Sequence, residues 1–382
     1  MLNPLSNAFG LDIGDRSFKL VQLGRPRGRK KGYRLNAWGV VDVPEGVMSN
    51  GNILDRPKAA ALINKLVRSA VGHVGGRTVV ACLPETKTFI KVIETGPNET
   101  REQMTSAVLK EIEDNIPLPK EEIYYDWQAI ETHSPPAAAS NPTKKTGPRN
   151  PASATETSRI MLGAAPKQLV DDFTAMIDLA GLAPAVFEIE AMAISRAVLP
   201  IANDEPETAV GLLDIGATRS SLIVHDRGTI QMSLSIPISG AEITETISQK
   251  LKVSLEDAEK LKRKCGLDAS RCEDKIWKIL QPQIDDMSEK IKNAIRFYRM
   301  GFPHGRDIER LLVAGGGANF LEIDSVLSRK LTINVERANP LVNVRLPIPR
   351  RFPSETTQTY TTAIGLAIRA ADETTAGLRG IQ

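Results

Sequence analysis

One pattern occurs twice in this chain, first as Leu11-Asp12-Ile13-Gly14 and again as Leu213-Asp214-Ile215-Gly216. In each copy an apolar run ends in an aspartate and a glycine. Because glycine lacks a Cβ and permits a tight turn, each copy predicts a strand, a turn and a second strand. The backbone N–H groups of such a turn can surround an anion, and the aspartate can hold a hydrated Mg²⁺. Two such turns facing each other would clamp a triphosphate.

A single copy could equally end an ordinary strand. The prediction of a phosphate site therefore rests on the occurrence of two copies and on a third element. Residues 310–314 form an apolar run that enters Gly315, Gly316 and Gly317, and a helix is predicted over 319–329. A strand-to-helix turn of this kind lets a planar or anionic ligand approach bare backbone. The order of the three elements resembles the superfamily of actin, sugar kinases and heat-shock chaperone ATPases. This resemblance implies an α/β fold of duplicated actin-like (ribonuclease H-like) domains.

Length and composition are those of a two-domain globular protein. The 382 residues exceed the size at which one hydrophobic core keeps growing. A net charge of +3 and an aromatic content of 4% argue against nucleic acid as a partner. The sequence contains no apolar run near the ~20 residues of a membrane span, and the first nine residues lack the features of a signal peptide. A cytoplasmic protein is therefore expected.

The three cysteines and four histidines are scattered along the sequence. Cys82, Cys265 and Cys272 show no C-x-x-C spacing, so neither a zinc site nor a disulfide framework is expected. Cys82 lies in an apolar run and is predicted to be a buried strand residue. The histidines define no metal-ligand cluster and no Ser-His-Asp order.

The pattern of strands, helices and loops divides the chain into two domains, an insert and a tail. A strand over 88–93 opens the insert, and a helix follows over 99–115. A later stretch is rich in Pro, Ala, Ser, Thr and Lys and cannot bury enough surface to order itself. The predicted units are a first actin-like subdomain over 1–85 and 183–205, an inserted subdomain over 86–182 with a disordered loop over 133–158, a second domain over 206–372 with a helical subdomain over 240–300, and a flexible tail over 373–382.

Six basic residues between positions 25 and 34 interrupt the first strands. At a hairpin tip they could meet anionic lipid, each contributing on the order of 1 kcal/mol near such a surface. A solvated loop is the alternative. The sequence leaves both open.

Several segments resemble PilM, a family of cytoplasmic actin-like proteins of type IV pilus assembly, and more distantly the cell-division protein FtsA. The opening run 9–14 with 17–21 carries the resemblance first. Further matches are Glu111-Ile112-Glu113 in the insert, the run 236–240, and the run 254–259, where Ser254 is a predicted N-cap. The resemblance covers roughly residues 8 to 370. It implies an FtsA/PilM-type inserted subdomain, while Asp15-Arg16 stands where small residues are usual in the family.

The resemblance implies ATP and Mg²⁺ as cofactors and assigns roles to residues of this sequence. Asp12 and Asp214 would orient Mg²⁺ and its waters, and Lys19 would be a point charge near the β- and γ-phosphates. Glu190 lies where the chaperone branch holds a water-orienting glutamate and is the candidate catalytic residue. The other implied nucleotide contacts are Gly14, Ser17, Gly216, Thr218, Ser220, Glu259, Lys262, Arg263, Gly315, Gly316 and Gly317. As alternatives, Lys19 could be a solvated strand lysine, and the E-x-x-K-R run that begins at Glu259 a wet helix face.

The function implied by the resemblance is ATP binding with slow or absent hydrolysis, at a platform on the inner face of the cytoplasmic membrane. The implied partner is the cytoplasmic N-terminal tail of a single-span protein, which is PilN in the family, and self-association is left open. Phe89, Val108 and Ile112 are the predicted lining of the peptide groove, with burial in a core as the alternative. An FtsA-like polymerising protein and a small-molecule kinase remain alternative functions.

Overall fold

The computed structural model describes residues 5, 7–25, 32–96, 99–130, 158–201, 208–302, 305–345 and 347–372. The predicted tail over 373–382 lies outside these residues, as does the predicted loop over 133–158 except for its last residue. Of the basic stretch over 25–34, residues 26–31 lie outside them too. The helices are α1 (Arg56–Ser69), α2 (Arg101–Asn115), α3 (Lys167–Leu179), α4 (Glu190–Val198), α5 (Gly240–Leu251), α6 (Leu255–Cys265), α7 (Lys275–Gly301), α8 (Ile323–Leu331) and α9 (Thr361–Ala371). The strands are β1 (Phe9–Ile13), β2 (Ser17–Gly24), β3 (Arg34–Asp42), β4 (Met48–Ser49), β5 (Asn52–Ile53), β6 (Val71–Gly72), β7 (Thr78–Leu83), β8 (Phe89–Thr95), β9 (Ile123–Ile130), β10 (Ser158–Pro166), β11 (Ala183–Ile189), β12 (Ala209–Ile215), β13 (Ser220–Asp226), β14 (Thr229–Ile236), β15 (Ile308–Ala314) and β16 (Asn334–Arg337).

Two mixed sheets share five strands in the same order, and β6 adds a sixth strand beside β3 in the first sheet. In the first sheet β1, β2 and β3 form an antiparallel meander, and β7 and β11 run parallel to β1 on its other side. In the second sheet β12, β13 and β14 form the meander, and β15 and β16 are the parallel strands. The duplication predicted from the repeated turn is therefore confirmed, because each copy of the turn joins the first two strands of its own sheet.

Two helices fill the space between the sheets and need small residues to do so. Every residue of α9 is buried, and α9 packs against α4 and against β1 and β2. A Cβ added at Gly365 would lie 1.8 Å from the carbonyl oxygen of Ala193, so the two helix backbones are in direct contact. The outer face of the first sheet is covered by α1 and α3, and that of the second sheet by α5, α7 and α8.

The insert is a three-stranded antiparallel sheet, in the order β8-β10-β9, covered by α2. Thr100 and Gln103 form a capping box that starts α2. Val108 is 0% exposed and Ile112 is 1% exposed, and both pack with the partly buried Phe89 in the core beneath this helix. The prediction that Val108 and Ile112 line a peptide groove is therefore wrong for this structure, because the apolar face of α2 covers its own sheet.

Helix α3 lies within the predicted insert over 86–182, but it shares a core with the first sheet. Its buried side chains, Phe173 and Met176 among them, pack with residues of β1, β7 and α1. This helix therefore ties the insert to the first domain.

The structure corrects the prediction on cysteines. Cys265 and Cys272 form a disulfide, and Cys82 is a buried free cysteine as expected. The two cysteines are seven residues apart in sequence, and they can meet because Gly266 ends α6 with a positive φ of 59° and the chain turns back.

Candidate functional site

The two repeated turns have the same geometry and meet across one cleft. In the first, the N–H of Gly14 donates to the carbonyl of Ser17 at 3.2 Å. In the second, the N–H of Gly216 donates to the carbonyl of Arg219 at 2.8 Å. The hydroxyl of Thr218 reaches across and donates to Asp15 at 2.7 Å. The fold therefore brings together two turns that are about two hundred residues apart in sequence.

The second turn is fixed by the start of α5. Ser239 caps this helix by accepting from the N–H of Glu242. The first two N–H groups of α5, those of Gly240 and Ala241, donate to the carbonyls of Gly216 and Ala217 at 3.0 and 2.8 Å. The hydroxyl of Ser220, a predicted phosphate contact, donates instead to the carbonyl of Ile238. Ser220 therefore positions the second turn.

The predicted metal-orienting carboxylates lie in one acidic cluster with the predicted catalytic residue. Lys19 donates to Asp12 at 3.0 Å, so this lysine points into the cleft and is 14% exposed in its side chain. Burial raises the pKa of Asp214 and that of Glu190 well above their usual values, and the charge of Asp12 raises both further. The structure thus brings Asp12, Lys19, Glu190 and Asp214 together, and each carboxylate opposes the ionisation of its neighbours.

The cluster contains a fourth carboxylate, Glu85, which the sequence analysis did not identify. It follows β7, and it accepts from the hydroxyl of Ser233, which is 148 residues away in sequence. Burial, with the charge of Glu190, raises the pKa of Glu85 to about 7. No motif surrounds Glu85 in the sequence, and only the closure of the two domains gives it partners.

The acidic cluster contains carboxylates that could hold a Mg²⁺ only together with oxygens of another group. Across the described ranges, no group of three or more His, Cys, Asp or Glu side chains is arranged to hold a metal ion by itself. Mg²⁺ prefers to keep several waters and to use one or two carboxylates with the oxygens of a phosphate. Asp12 and Asp214 could provide the carboxylates, but the phosphate would have to come from the ligand.

The glycine turn lies against the second repeated turn. Gly315 has a φ of 73°, and a Cβ there would lie 2.4 Å from Oδ1 of Asp214. At Gly317 a Cβ would meet Ile215 at 2.2 Å. A Cβ at Gly316 meets nothing nearer than 3.8 Å, so this residue has the most open environment of the three. Two of the three glycines are thus required by backbone packing beside Asp214.

The three predicted charges on α6 form a hydrogen-bonded group at the start of α5. Ser254 caps α6 as predicted, accepting from the N–H of Asp257. Lys262 donates to the carbonyl of Gly240 at 2.9 Å and pairs with Glu259 at 2.6 Å. Burial alone would raise the pKa of Glu259, but hydrogen bonds from Lys262 and Thr244 outweigh it and bring the pKa to about 2. Arg263 pairs with the same carboxylate and stays exposed.

Comparison with known proteins identifies the family. The family model for the type IV pilus assembly protein PilM matches residues 10–371. The chain belongs to the PilM family. A solved PilM-PilN type IV pilus biogenesis complex contains a chain 25% identical to this one, with a TM-score of 0.76 over 97% of this chain and 100% of that one. The actin-like α/β fold predicted from the repeated turns and the glycine turn is confirmed, and so is the resemblance to PilM that several segments of the sequence indicated.

More distant relatives agree with an actin-like fold. The cell-division protein FtsA of Bacillus subtilis (strain 168) is 25% identical over 266 residues, which are 67% of this chain and 57% of FtsA. This PilM-family chain therefore matches little more than half of that relative's length. The ethanolamine utilisation protein EutJ of Carboxydothermus hydrogenoformans is 15% identical over 94% of this chain and 88% of its own, with a TM-score of 0.53, which shows a common fold. Among the helices described, none has the length and apolar character to span a bilayer.

The acidic cluster predicts how stability depends on pH. Because the folded pKa of Glu85 is about 7 instead of the ordinary 4.5, the folded state holds a proton that the unfolded chain has already lost. The free energy of unfolding should therefore fall as the pH rises from about 4.5 to about 7. Glu85→Gln should remove roughly 3 kcal/mol of this fall, measured by urea unfolding of the ligand-free protein at both ends of the window. An unchanged fall in the variant would contradict the assignment to Glu85.

Proposed function

We propose that this protein binds ATP with Mg²⁺ between the two repeated turns and, in a type IV pilus assembly complex, binds the cytoplasmic N-terminal tail of a single-span membrane protein like PilN. The observation that carries the nucleotide part is the meeting of the two turns, marked by the 2.7 Å hydrogen bond from Thr218 to Asp15. Backbone N–H groups, hydroxyls and Lys19 then surround one space suited to an anion. The protein would act as a peripheral component at the inner face of the cytoplasmic membrane.

The α6 group supports adenosine as the rest of the ligand. Glu259 is an ionised acceptor held next to the second turn, where it can accept from ribose hydroxyls. Lys262 and Thr244 fix its position. The guanidinium of Arg263 pairs with Glu259 through Nε but stays exposed, so its face can stack on a planar base. The ligand would thus extend from the repeated turns along α6.

Slow or absent hydrolysis fits the state of the candidate catalytic residue. A general base must accept a proton from water, and a carboxyl that already carries a proton cannot do so. Burial and the charges of Asp214 and Asp12 raise the pKa of Glu190 and favour its protonated form. The positive charge of a bound Mg²⁺ would counteract the charges of Asp214 and Asp12. Glu190 would still be the one carboxylate proposed to orient the attacking water.

The nucleotide part is tested by calorimetric titration of the full chain with ATP in the presence and absence of Mg²⁺, and with adenosine as the control. ATP with Mg²⁺ should bind more tightly than ATP alone, because the ion shields the phosphates from the acidic cluster. Adenosine should bind weakly and without any dependence on Mg²⁺. Absence of ATP binding at millimolar concentration would refute this part of the proposal.

The partner tail is proposed to bind between the insert and the first domain, where α3 joins them. The insert also contacts the second domain, since Arg159 donates to the carbonyl of Arg227 at 3.1 Å and Thr229 donates to the sulfur of Met161. Closure of the domains around nucleotide would therefore move the walls of the tail site. Nucleotide and tail should then bind with a coupling of roughly 1 to 3 kcal/mol.

A synthetic peptide copied from the cytoplasmic end of the single-span pilus protein of the same bacterium tests this coupling. Fluorescence anisotropy should show binding to the full chain, with an affinity that changes about five- to 150-fold on addition of ATP and Mg²⁺. A scrambled peptide of the same composition is the control. If the peptide fails to bind with or without ATP, the platform function is wrong, and the FtsA-like polymerising protein and the small-molecule kinase become the better hypotheses.

A further inference from the structure

Asp15 is a buried carboxylate that stands inside the proposed phosphate site. Its side chain is 4% exposed. It accepts from the N–H of Gly51 at 2.8 Å and from the hydroxyl of Thr218 at 2.7 Å, and it lies 3.4 Å from the guanidinium of Arg219. Gly51 and Asp15 belong to the first domain, whereas Thr218 and Arg219 belong to the second. One carboxylate therefore links the two domains across the cleft.

The three groups around Asp15 are those that bind phosphate oxygens elsewhere in proteins. A backbone N–H, a hydroxyl and a guanidinium all donate hydrogen bonds to anions. A carboxylate placed among them satisfies the same donors as a phosphate would. Asp15 thus resembles a bound anion in charge, position and partners.

One donor near Asp15, the Nη1 of Arg219, lacks a hydrogen-bond acceptor among the described residues. Its Nη1 is buried and makes no hydrogen bond within the described part of the chain, although Asp15 is near enough for an ion pair. The guanidinium also faces Glu85, Glu190 and Asp214, whose pKa values it lowers. A phosphate oxygen in place of the Asp15 carboxylate could accept from Nη1, so Arg219 is available to a ligand once Asp15 moves away.

We propose that Asp15 is an internal competitor of the nucleotide's phosphate groups. In the ligand-free protein its carboxylate occupies the anion position and holds Thr218 and Arg219, which keeps the cleft closed. Nucleotide binds only after this carboxylate is displaced, and the displaced negative charge stays close to the phosphates and opposes them. Asp15 therefore lowers the affinity for phosphate-bearing ligands and sets the concentration at which nucleotide binds. The inference rests on the proposed nucleotide function.

The test compares Asp15→Ser and Asp15→Asn with the parent protein by calorimetric titration at fixed Mg²⁺. Both variants remove the charge; serine also removes the bulk, while asparagine keeps an acceptor for the N–H of Gly51. Glu45→Gln is the matched control, because it removes one nearby negative charge from a side chain that is 87% exposed. Each protein is titrated with ATP and with adenosine, and melting curves confirm that it is folded.

Asp15→Ser and Asp15→Asn should bind ATP about tenfold or more tightly than the parent, since a like-charge contact that opposes binding is removed. Their affinity for adenosine, which carries no phosphate, should stay within about twofold of the parent's, and Glu45→Gln should match the parent for both ligands.

Three results would overturn the inference and can be told apart. If the parent binds ATP and both Asp15 variants bind it with the parent's affinity, Asp15 is not a competitor, and the nucleotide function stands. If no protein in the series binds ATP, the inference and the nucleotide function both fail. Weaker ATP binding in both folded variants would make Asp15 part of the binding site itself.

Discussion

Asp12→Ala is expected to abolish stabilisation of the protein by ATP and Mg²⁺ while leaving the ligand-free protein at least as stable as the parent. Without Asp12 the ion loses one of its two carboxylates, so the phosphates are no longer shielded from Glu190 and Asp214. In the ligand-free protein, removal of the same charge relieves two neighbours whose pKa values Asp12 raises. Lys19 loses its ion-pair partner in this variant. The carboxyl groups of Asp214 and Glu190 remain close enough to stabilise the positive charge of Lys19.

The measurement is thermal unfolding with and without ligand. At a nucleotide concentration one hundred times the dissociation constant, the parent should gain about 2.7 kcal/mol from binding, and Asp12→Ala should gain none. Asp114→Ala, at an exposed position of α2 in the insert, is the control and should behave as the parent does. A full ligand-induced shift in Asp12→Ala would show that Asp12 does not contribute to the site.

Ile112→Glu is expected to unfold the insert, with a loss of about 4 kcal/mol or more in stability. Ile112 is 1% exposed and packs against Ile160 and Leu162 of β10. A glutamate there would place an unpaired charge in an apolar core, which is among the few single changes with effects of this size. Hydrogen exchange should speed up at the insert's amide groups. Exchange in the second domain should stay unchanged, because that domain has a separate core.

Ser106→Glu introduces the same charge at an exposed position of the same helix and is the matched control. Ser106→Glu should keep the amide hydrogen-exchange rates and the melting temperature close to those of the parent. If Ile112→Glu were instead folded, equally stable and deficient in binding the partner tail, Ile112 would face a ligand, and the groove expected from the sequence would be correct after all.

Much of the site was predictable because its elements are local. The repeated turns are encoded in four adjacent residues each, and the cap of α6 depends on Ser254 and a backbone N–H three residues later. In each case the chemistry of neighbouring residues determines the backbone geometry, whatever the rest of the chain does.

The sequence could not decide which polar residues share the cleft, or which face of α2 is covered. Asp15 and Thr218 are 203 residues apart, and Glu85 and Ser233 are 148 apart. Helical spacing marked Val108 and Ile112 as an apolar face but could not tell a core from a groove, because an amphipathic helix has the same pattern against its own sheet and against a partner.

The sequence by itself determined the duplicated fold, the family, and the Asp12, Asp214 and glycine turns, since local turn chemistry and strand patterns are written in adjacent residues. The tertiary structure alone decided that Glu85 joins the acidic cluster, that Ser220 bonds to Ile238, and that Asp15 occupies the space between the turns. These outcomes depend on burial and on contacts between distant residues. Burial and charge proximity set the pKa values of the cluster, and both exist only after the two domains have packed together.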